Sequence, residues 1–227
     1  MTTTKPKDIA VVLFPAFQAL DVFGPLDALN ILSRTQPLNL HIIASTLDPV
    51  STKPIVTNTA GSNFSESIVP THTFADPPPN LDVLLVPGGL GTRGPDLDPL
   101  VGFIRTIYPS LQYMLTVCTG SWLVARSGVL DGRRATSNKR SWAARLEYGG
   151  ERVRWVAKAR WVVDGNIWTS SGVSAGMDAT LDWIKTVWDE GTARDVANFM
   201  EYDWHTDASW DPFADLYGLT NTEGEGE

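Results

Sequence analysis

Three short apolar runs in this chain stop abruptly at proline, glycine or cysteine, and each is followed by residues with helical spacing. They are IAVVLF (9–14), LDVLLVP (81–87) and QYMLTV (112–117). Continuous apolar runs of this length, rich in β-branched residues, predict strands buried on both faces. LNLHIIAS (38–45) reads as a further strand, second in chain order. Between these strands, FQALDVFGPLDALNIL, PLVGFIRTIYP (99–109) and GSWLVARSGVL place apolar residues at helical spacing. Gly24-Pro25 is expected to divide the first helix into a short turn and a longer piece, and Gly128 to stop the third. Strands alternating with helices predict an α/β fold with a mostly parallel sheet covered on both faces. Ligands bind such sheets at the carboxyl ends of the strands. Three segments fall there: Asp21 after the first strand, Pro87-Gly88-Gly89 after the third and Cys118 after the fourth.

Beyond residue 150 the pattern is less regular. RVRWVAKARWVVDGNIWTSSG holds two strand-like runs around Asp164-Gly165-Asn166, a hairpin signal, with Trp155, Trp161 and Trp168 expected on that hairpin. SAGMDATLDWIKTVWDEG and TARDVANFMEYDWH read as consecutive helices. Residues 48–80 are rich in Pro, Ser, Thr and Asn, with pieces such as PIVTNT that suit a minor β-excursion. No repeat or linker divides the chain. It is therefore expected to form a single domain over 1–227, with an ordered core over about 8–205, a C-terminal arm over 206–219 and a disordered acidic tail over 220–227. The arm is read as docking on its own or a partner subunit, ahead of a lid role.

Charge and composition exclude several function classes. The 227 residues carry a net charge of −8, against nucleic acid or an anionic membrane as the main partner. No apolar run is long enough to span a bilayer, and MTTTKPKD lacks the apolar core of a signal peptide, so the expected location is cytoplasmic. The lone cysteine, Cys118, has no partner for an internal disulfide and is expected to remain a free thiol. The three histidines, His41, His72 and His205, lie at no metal-ligand spacing, so no metal is expected.

Cys118 invites two readings. Buried structural cysteine is common. A cysteine at a sharp strand-to-helix turn is instead exposed to substrate, beside free N–H groups that favour the thiolate. Asp21 is open in the same way, as a helix N-cap or as a desolvated carboxyl that carries a proton. Gly88 and Gly89 can turn backbone amides towards one point, half of an oxyanion hole that the Thr119 amide would complete. Trp122 and Trp142 are placed to line a pocket near the turn, whereas GGLGTRG matches neither phosphate-binding glycine motif.

ALDVFGPLDAL, DVLLVPGGLG, VCTGSWLVARSGVLDGRRAT and SSGVSAGMDATL, in that order and separation, resemble the ThiJ/PfpI superfamily over roughly residues 8–205. The resemblance implies a flavodoxin-like three-layer α/β sandwich, a nucleophile-elbow cysteine at Cys118, an acidic partner at Asp21, strand-end glycines at Gly88 and Gly89, and a homodimer. Protease-like members place His directly after the cysteine, where this chain has Thr119. The Asp … Cys-Thr-Gly pattern is similar to isonitrile hydratases and to the ligand-binding halves of some AraC-type regulators. No DNA-binding segment follows residue 205, which weakens the regulator reading. Asn138 stands where many relatives carry a pocket His, and it is expected to touch substrate. The resemblance thus implies a cofactor-free hydro-lyase in which Cys118, Asp21 and Thr119 hydrate a small isonitrile-like substrate through a thioimidate. A glutathione-independent glyoxalase-like enzyme acting on 2-oxoaldehydes and a cysteine redox or ligand sensor are the alternatives.

Overall fold

The computed structural model describes residues 4–54 and 57–221. Part of PIVTNT and most of the acidic tail lie outside the described residues.

In chain order the elements are β1 (Asp8–Val12), α1 (Ala19–Leu32), β2 (Asn39–Ala44), β3 (Val50–Ser51), β4 (Ser67–Ile68), β5 (His72–Thr73), β6 (Val83–Val86), α2 (Asp98–Ile107), β7 (Tyr113–Thr116), α3 (Gly120–Arg126), β8 (Arg134–Ala135), β9 (Arg154–Trp155), β10 (Trp161–Asp164), β11 (Ile167–Ser170), α4 (Ala175–Val187), α5 (Glu190–Phe199) and α6 (Pro212–Leu216). One seven-stranded sheet runs in the order β10-β11-β7-β6-β1-β2-β5. Every neighbouring pair in it is parallel except β10 with β11. Helix α1 packs with α4 and α5, and α2 packs with α3. The result is the mostly parallel α/β sandwich expected from the apolar runs. Strand β6 is buried at all four positions, and Leu84, Leu85 and Met114 are among the fully buried core residues. A strand with no solvent face has no polar positions to alternate with, which is why these runs are continuous.

Three local expectations are corrected. Helix α1 does not divide at Gly24-Pro25 but runs through Pro25. Gly24 serves packing instead, because a Cβ there would stand 2.7 Å from Cγ of Met177 on α4. Its absence lets α1 and α4 approach closely, and that packing offsets the cost of an interior proline. The helix expected over TARDVANFMEYDWH ends at Phe199, with Glu201 at φ 50°. Beyond that turn the Tyr202 hydroxyl and the His205 N–H donate to Asp178, so the chain is diverted onto α4. Trp155 lies on β9, paired with β8, while Trp161 and Trp168 are on the β10–β11 hairpin.

Candidate active site

The carboxyl ends of β1, β6, β7 and β11, four adjacent strands, deliver the site. The first contact is made by the loop after β1. There the Gln18 N–H donates to the Gly88 carbonyl at 2.8 Å, and the Gly91 N–H donates to the Ala16 carbonyl at 3.0 Å. These bonds sew the start of α1 to the turn after β6. Asp21 follows in the first turn of α1, fully buried, and its Oδ2 accepts the Gly88 N–H at 2.9 Å. The cap position belongs to Gln18, so Asp21 is not the N-cap. A Cβ on Gly88 would stand 2.5 Å from the Thr119 nitrogen and 2.9 Å from Asp21 Oδ2. Glycine is required there because three segments meet at one point.

Cys118 occupies the turn between β7 and α3 at φ 60°, in the left-handed region that a residue with a Cβ enters only under constraint. The constraint comes from both sides. Its N–H donates to the Ser171 carbonyl at 2.9 Å, and its carbonyl accepts the Ser121 and Ser137 hydroxyls, each at 3.1 Å. The residue is 6% exposed. Around the sulfur stand the Asp21 carboxyl, the N–H groups of Thr119 and Val173, and the side-chain amide of Asn138. Asn138 Oδ1 accepts the Ser141 N–H at 2.9 Å, which leaves its NH2 group facing Gly172 and the sulfur.

Burial dominates the electrostatics. It pushes the Asp21 carboxyl up to about 7, against the Gly88 N–H and the Cys118 side chain, which favour the carboxylate. It also pushes the Cys118 thiol up to about 12; the negative charge of Asp21 adds to this, while the Thr119, Val173 and Asn138 donors oppose it. The turn therefore does not yield the free thiolate expected at the start of a helix. The two groups form a coupled acid pair in which Asp21 is the stronger acid and the proton rests on sulfur above neutrality.

Two further site expectations change. The amides of Gly88 and Gly89 are already engaged: Gly88 donates to Asp21, and Gly89 donates to Thr119 Oγ1 at 3.0 Å. They hold the acid and the threonine in place rather than opening towards substrate. Trp122 has no exposed surface; it stacks on Tyr148 at 5.2 Å with the Arg93 guanidinium over its ring. It is a packing residue, not a pocket wall. Trp142 is nearly buried too, edge-on to Trp155. Thr119 divides its roles, with its N–H at the sulfur and its hydroxyl on the Gly89 side. The histidines lie elsewhere: His41 bonds Asp8, His72 bonds Thr71, and the His205 ring stacks on Trp210.

Val173 was not anticipated. It sits at φ 32° in the small-residue loop between β11 and α4 and supplies a backbone donor to the sulfur. The available signal was positional, since Ser-Gly-Val-Ser follows a strand that pairs with β7.

A family model for the DJ-1/PfpI family matches residues 7–186. The chain belongs to that family. Within the family it is 35% identical over 196 residues to isonitrile hydratase from Pseudomonas putida, covering 86% of this chain and 78% of that protein. Among solved structures it is similar to a ThiJ/PfpI family protein from Pseudomonas syringae, with a TM-score of 0.72 at 30% identity over 87% of this chain and 76% of that one. It also shares its fold with an AraC family transcriptional regulator from Pseudomonas putida, with a TM-score of 0.69 at 19% identity over 86% of this chain and 100% of that one. Among the described residues no helix is long and apolar enough to cross a membrane.

Proposed function

We propose that this family member is a cysteine-dependent hydratase that converts small isonitriles to N-formyl amines. The observation that carries the reading is the buried Cys118–Asp21 pair, a nucleophile and a proton carrier with no histidine beside them. Likeness to an isonitrile hydratase supports the substrate class. So does the depth of the site: a cysteine only 6% exposed suits a slender group with its reactive carbon at the tip.

In the first step the Asp21 carboxylate takes the thiol proton as the sulfur bonds to the isonitrile carbon. Asp21 then gives that proton to the same carbon, and a thioimidate, R–N=CH–S–Cys118, forms. Water next adds to this carbon; Asp21 accepts a proton from the water and passes it to nitrogen. Collapse of the resulting R–NH–CH(OH)–S–Cys118 breaks the C–S bond. Sulfur leaves with the pair of electrons and regains a proton from the hydroxyl by way of Asp21, releasing R–NH–CHO. The Thr119 and Val173 N–H groups and the Asn138 amide stabilise charge on sulfur in both steps. Covalent catalysis divides one hard addition into two easier ones. Apart from the isonitrile and one water, no group outside the chain enters this balance.

The reading extends to a cytoplasmic homodimer, for which Leu20 and Phe23 on α1 and Leu40 on β2, all exposed, offer an apolar contact strip. The deciding experiment follows loss of an aliphatic and an aryl isonitrile and the appearance of the formamide. Turnover by the wild type, with none by Cys118→Ala, is expected. Full activity in Cys118→Ala would refute the mechanism, and absence of turnover on every isonitrile would refute the substrate class. Methylglyoxal, the substrate of the glyoxalase-like alternative, should remain unconverted. The sensor alternative needs an accessible, low-pKa thiol, which the burial of Cys118 opposes.

A further inference from the structure

We infer that Asp211, in the C-terminal arm beyond the family-matched residues 7–186, is a positioning residue that keeps the Asn138 amide on the Cys118 sulfur by acting through Lys139.

Lys139 follows Asn138 directly, and its side chain is wholly buried. Its Nζ donates to Thr136 Oγ1 at 2.5 Å, the Ser137 carbonyl at 3.1 Å and the Ala159 carbonyl at 2.8 Å. Those three acceptors use all three protons of an ammonium group. They tie 136–139 into one tight turn and fasten it to the segment before β10. The same turn carries the Ser137 hydroxyl bound to the Cys118 carbonyl and the Asn138 amide, whose Oδ1 is held by the Ser141 N–H so that its NH2 group is turned towards Gly172 and the Cys118 sulfur.

A buried ammonium persists only with a counter-charge. Burial pulls Lys139 down to about 8, and Asp211 is the group that opposes this. Asp211 Oδ2 lies 3.6 Å from Nζ, itself buried, and has no hydrogen-bond donor of its own. Asp211 Oδ1 caps α6 by accepting the Phe213 N–H at 3.0 Å. The arm that delivers Asp211 is fastened nearby, where the Arg160 N–H donates to the Ala208 carbonyl at 2.7 Å. Without Asp211, Lys139 sheds its proton and with it one of its three bonds. The turn loosens, and the amide loses its fixed direction onto sulfur.

The inference rests on Cys118 as the reacting group, as proposed above, but its test does not use isonitriles. Iodoacetamide reacts with the thiolate, and Cys118 is the single cysteine of the chain. In full-length Asp211→Asn, alkylation at pH 8 is expected to slow about tenfold, the equivalent of one pKa unit. Asn138→Leu is expected to slow it similarly, and adding Asp211→Asn to Asn138→Leu should change the rate less than about twofold, because both act on one contact. Asp215→Asn, which breaks only the exposed arm contact to Lys158, should leave the rate unchanged. An unchanged or faster rate in Asp211→Asn, or its full effect surviving in the Asn138→Leu background, would overturn the inference. If Asp211→Asn does not fold, Lys139→Met with Asp211→Leu removes both charges together, and an unchanged rate in that pair has the same force. If iodoacetamide does not reach the wild-type sulfur, the Asn138 side-chain amide resonances decide, and their failure to move in Asp211→Asn overturns the inference. A wild type that is alkylated and responds as expected but hydrates no isonitrile would refute the proposed function alone.

Discussion

Asp21 sets its carboxyl against the Cys118 thiol while its Oδ2 accepts the Gly88 N–H at 2.9 Å, so a main-chain amide fixes the acid beside the sulfur. The remaining oxygen, Oδ1, is buried with no N–H or O–H donor of its own. This is the placement that the proposed proton transfers between Asp21 and the sulfur need.

The pH dependence of turnover should report this pair. Asp21 must be ionised to take the thiol proton, and it titrates at about 7. We expect kcat/KM for an isonitrile to rise about tenfold per pH unit below 7 and to level off above it. A profile that falls as pH rises through 7 would contradict Asp21 as the base. Asp21→Asn should remove this limb and lower kcat by roughly 10²–10⁴-fold.

The same substitution should stabilise the fold. The Asp21 carboxyl binds its proton more tightly folded, at about 7, than unfolded, at 3.8. Between those values the folded state holds more protons, so stability falls as pH rises through the window and stays low above it. Asp21→Asn keeps an acceptor for the Gly88 N–H and has no charge to bury. Urea unfolding at pH 8 should find it more stable than wild type by up to about 4 kcal/mol, with the gain shrinking towards pH 4.

Gly88→Ala should damage both fold and site. Its Cβ would press on the Thr119 backbone nitrogen at 2.5 Å and on the Asp21 carboxyl oxygen Oδ2 at 2.9 Å, so relief would shift the turn after β7 and move the acid from its place beside the sulfur. A loss of about 1–3 kcal/mol is expected by denaturant unfolding, together with loss of turnover.

Arg160 and Asp178 offer a test away from the sulfur. Arg160 Nε donates to Asp178 Oδ2 at 2.6 Å, both residues being buried, and Asp178 Oδ1 accepts the Tyr202 hydroxyl and the His205 N–H. Arg160→Leu strands a buried carboxylate and should cost about 3–5 kcal/mol, while Arg160→Leu with Asp178→Leu should cost less. Equilibrium denaturation of both variants checks this, and a double variant no better than the single would count against it.

Strands β1, β6 and β7 were legible in the sequence because burial on both faces leaves an unbroken apolar run, and their carboxyl ends brought Asp21, Gly88, Gly89 and Cys118 together, whereas the two-residue strands β5 and β8 are too short to carry a pattern. Gly24-Pro25 misled because local chain preference marks a break, whereas the close pass of α1 over α4 decides the outcome there. The strand-end glycines were found but given the wrong task, since sequence shows where an amide is free to turn but not which acceptor it meets. Val173 contributes its backbone, which its side chain does not announce. Asp211 reaches Lys139 across more than seventy residues, a pairing that no local pattern encodes.

Three of the groups that define the chemistry at the sulfur are held or supplied by main chain: Asp21 by the Gly88 N–H, and the donors of Thr119 and Val173 directly. Asn138 is the exception, since its donor is a side chain carried on a separate turn. Side-chain replacements around the sulfur can therefore leave Asp21 and two of the three donors in register. Position 138 is the natural handle for retuning the thiol, because a change there alters the sulfur's surroundings without disturbing the sheet beneath it.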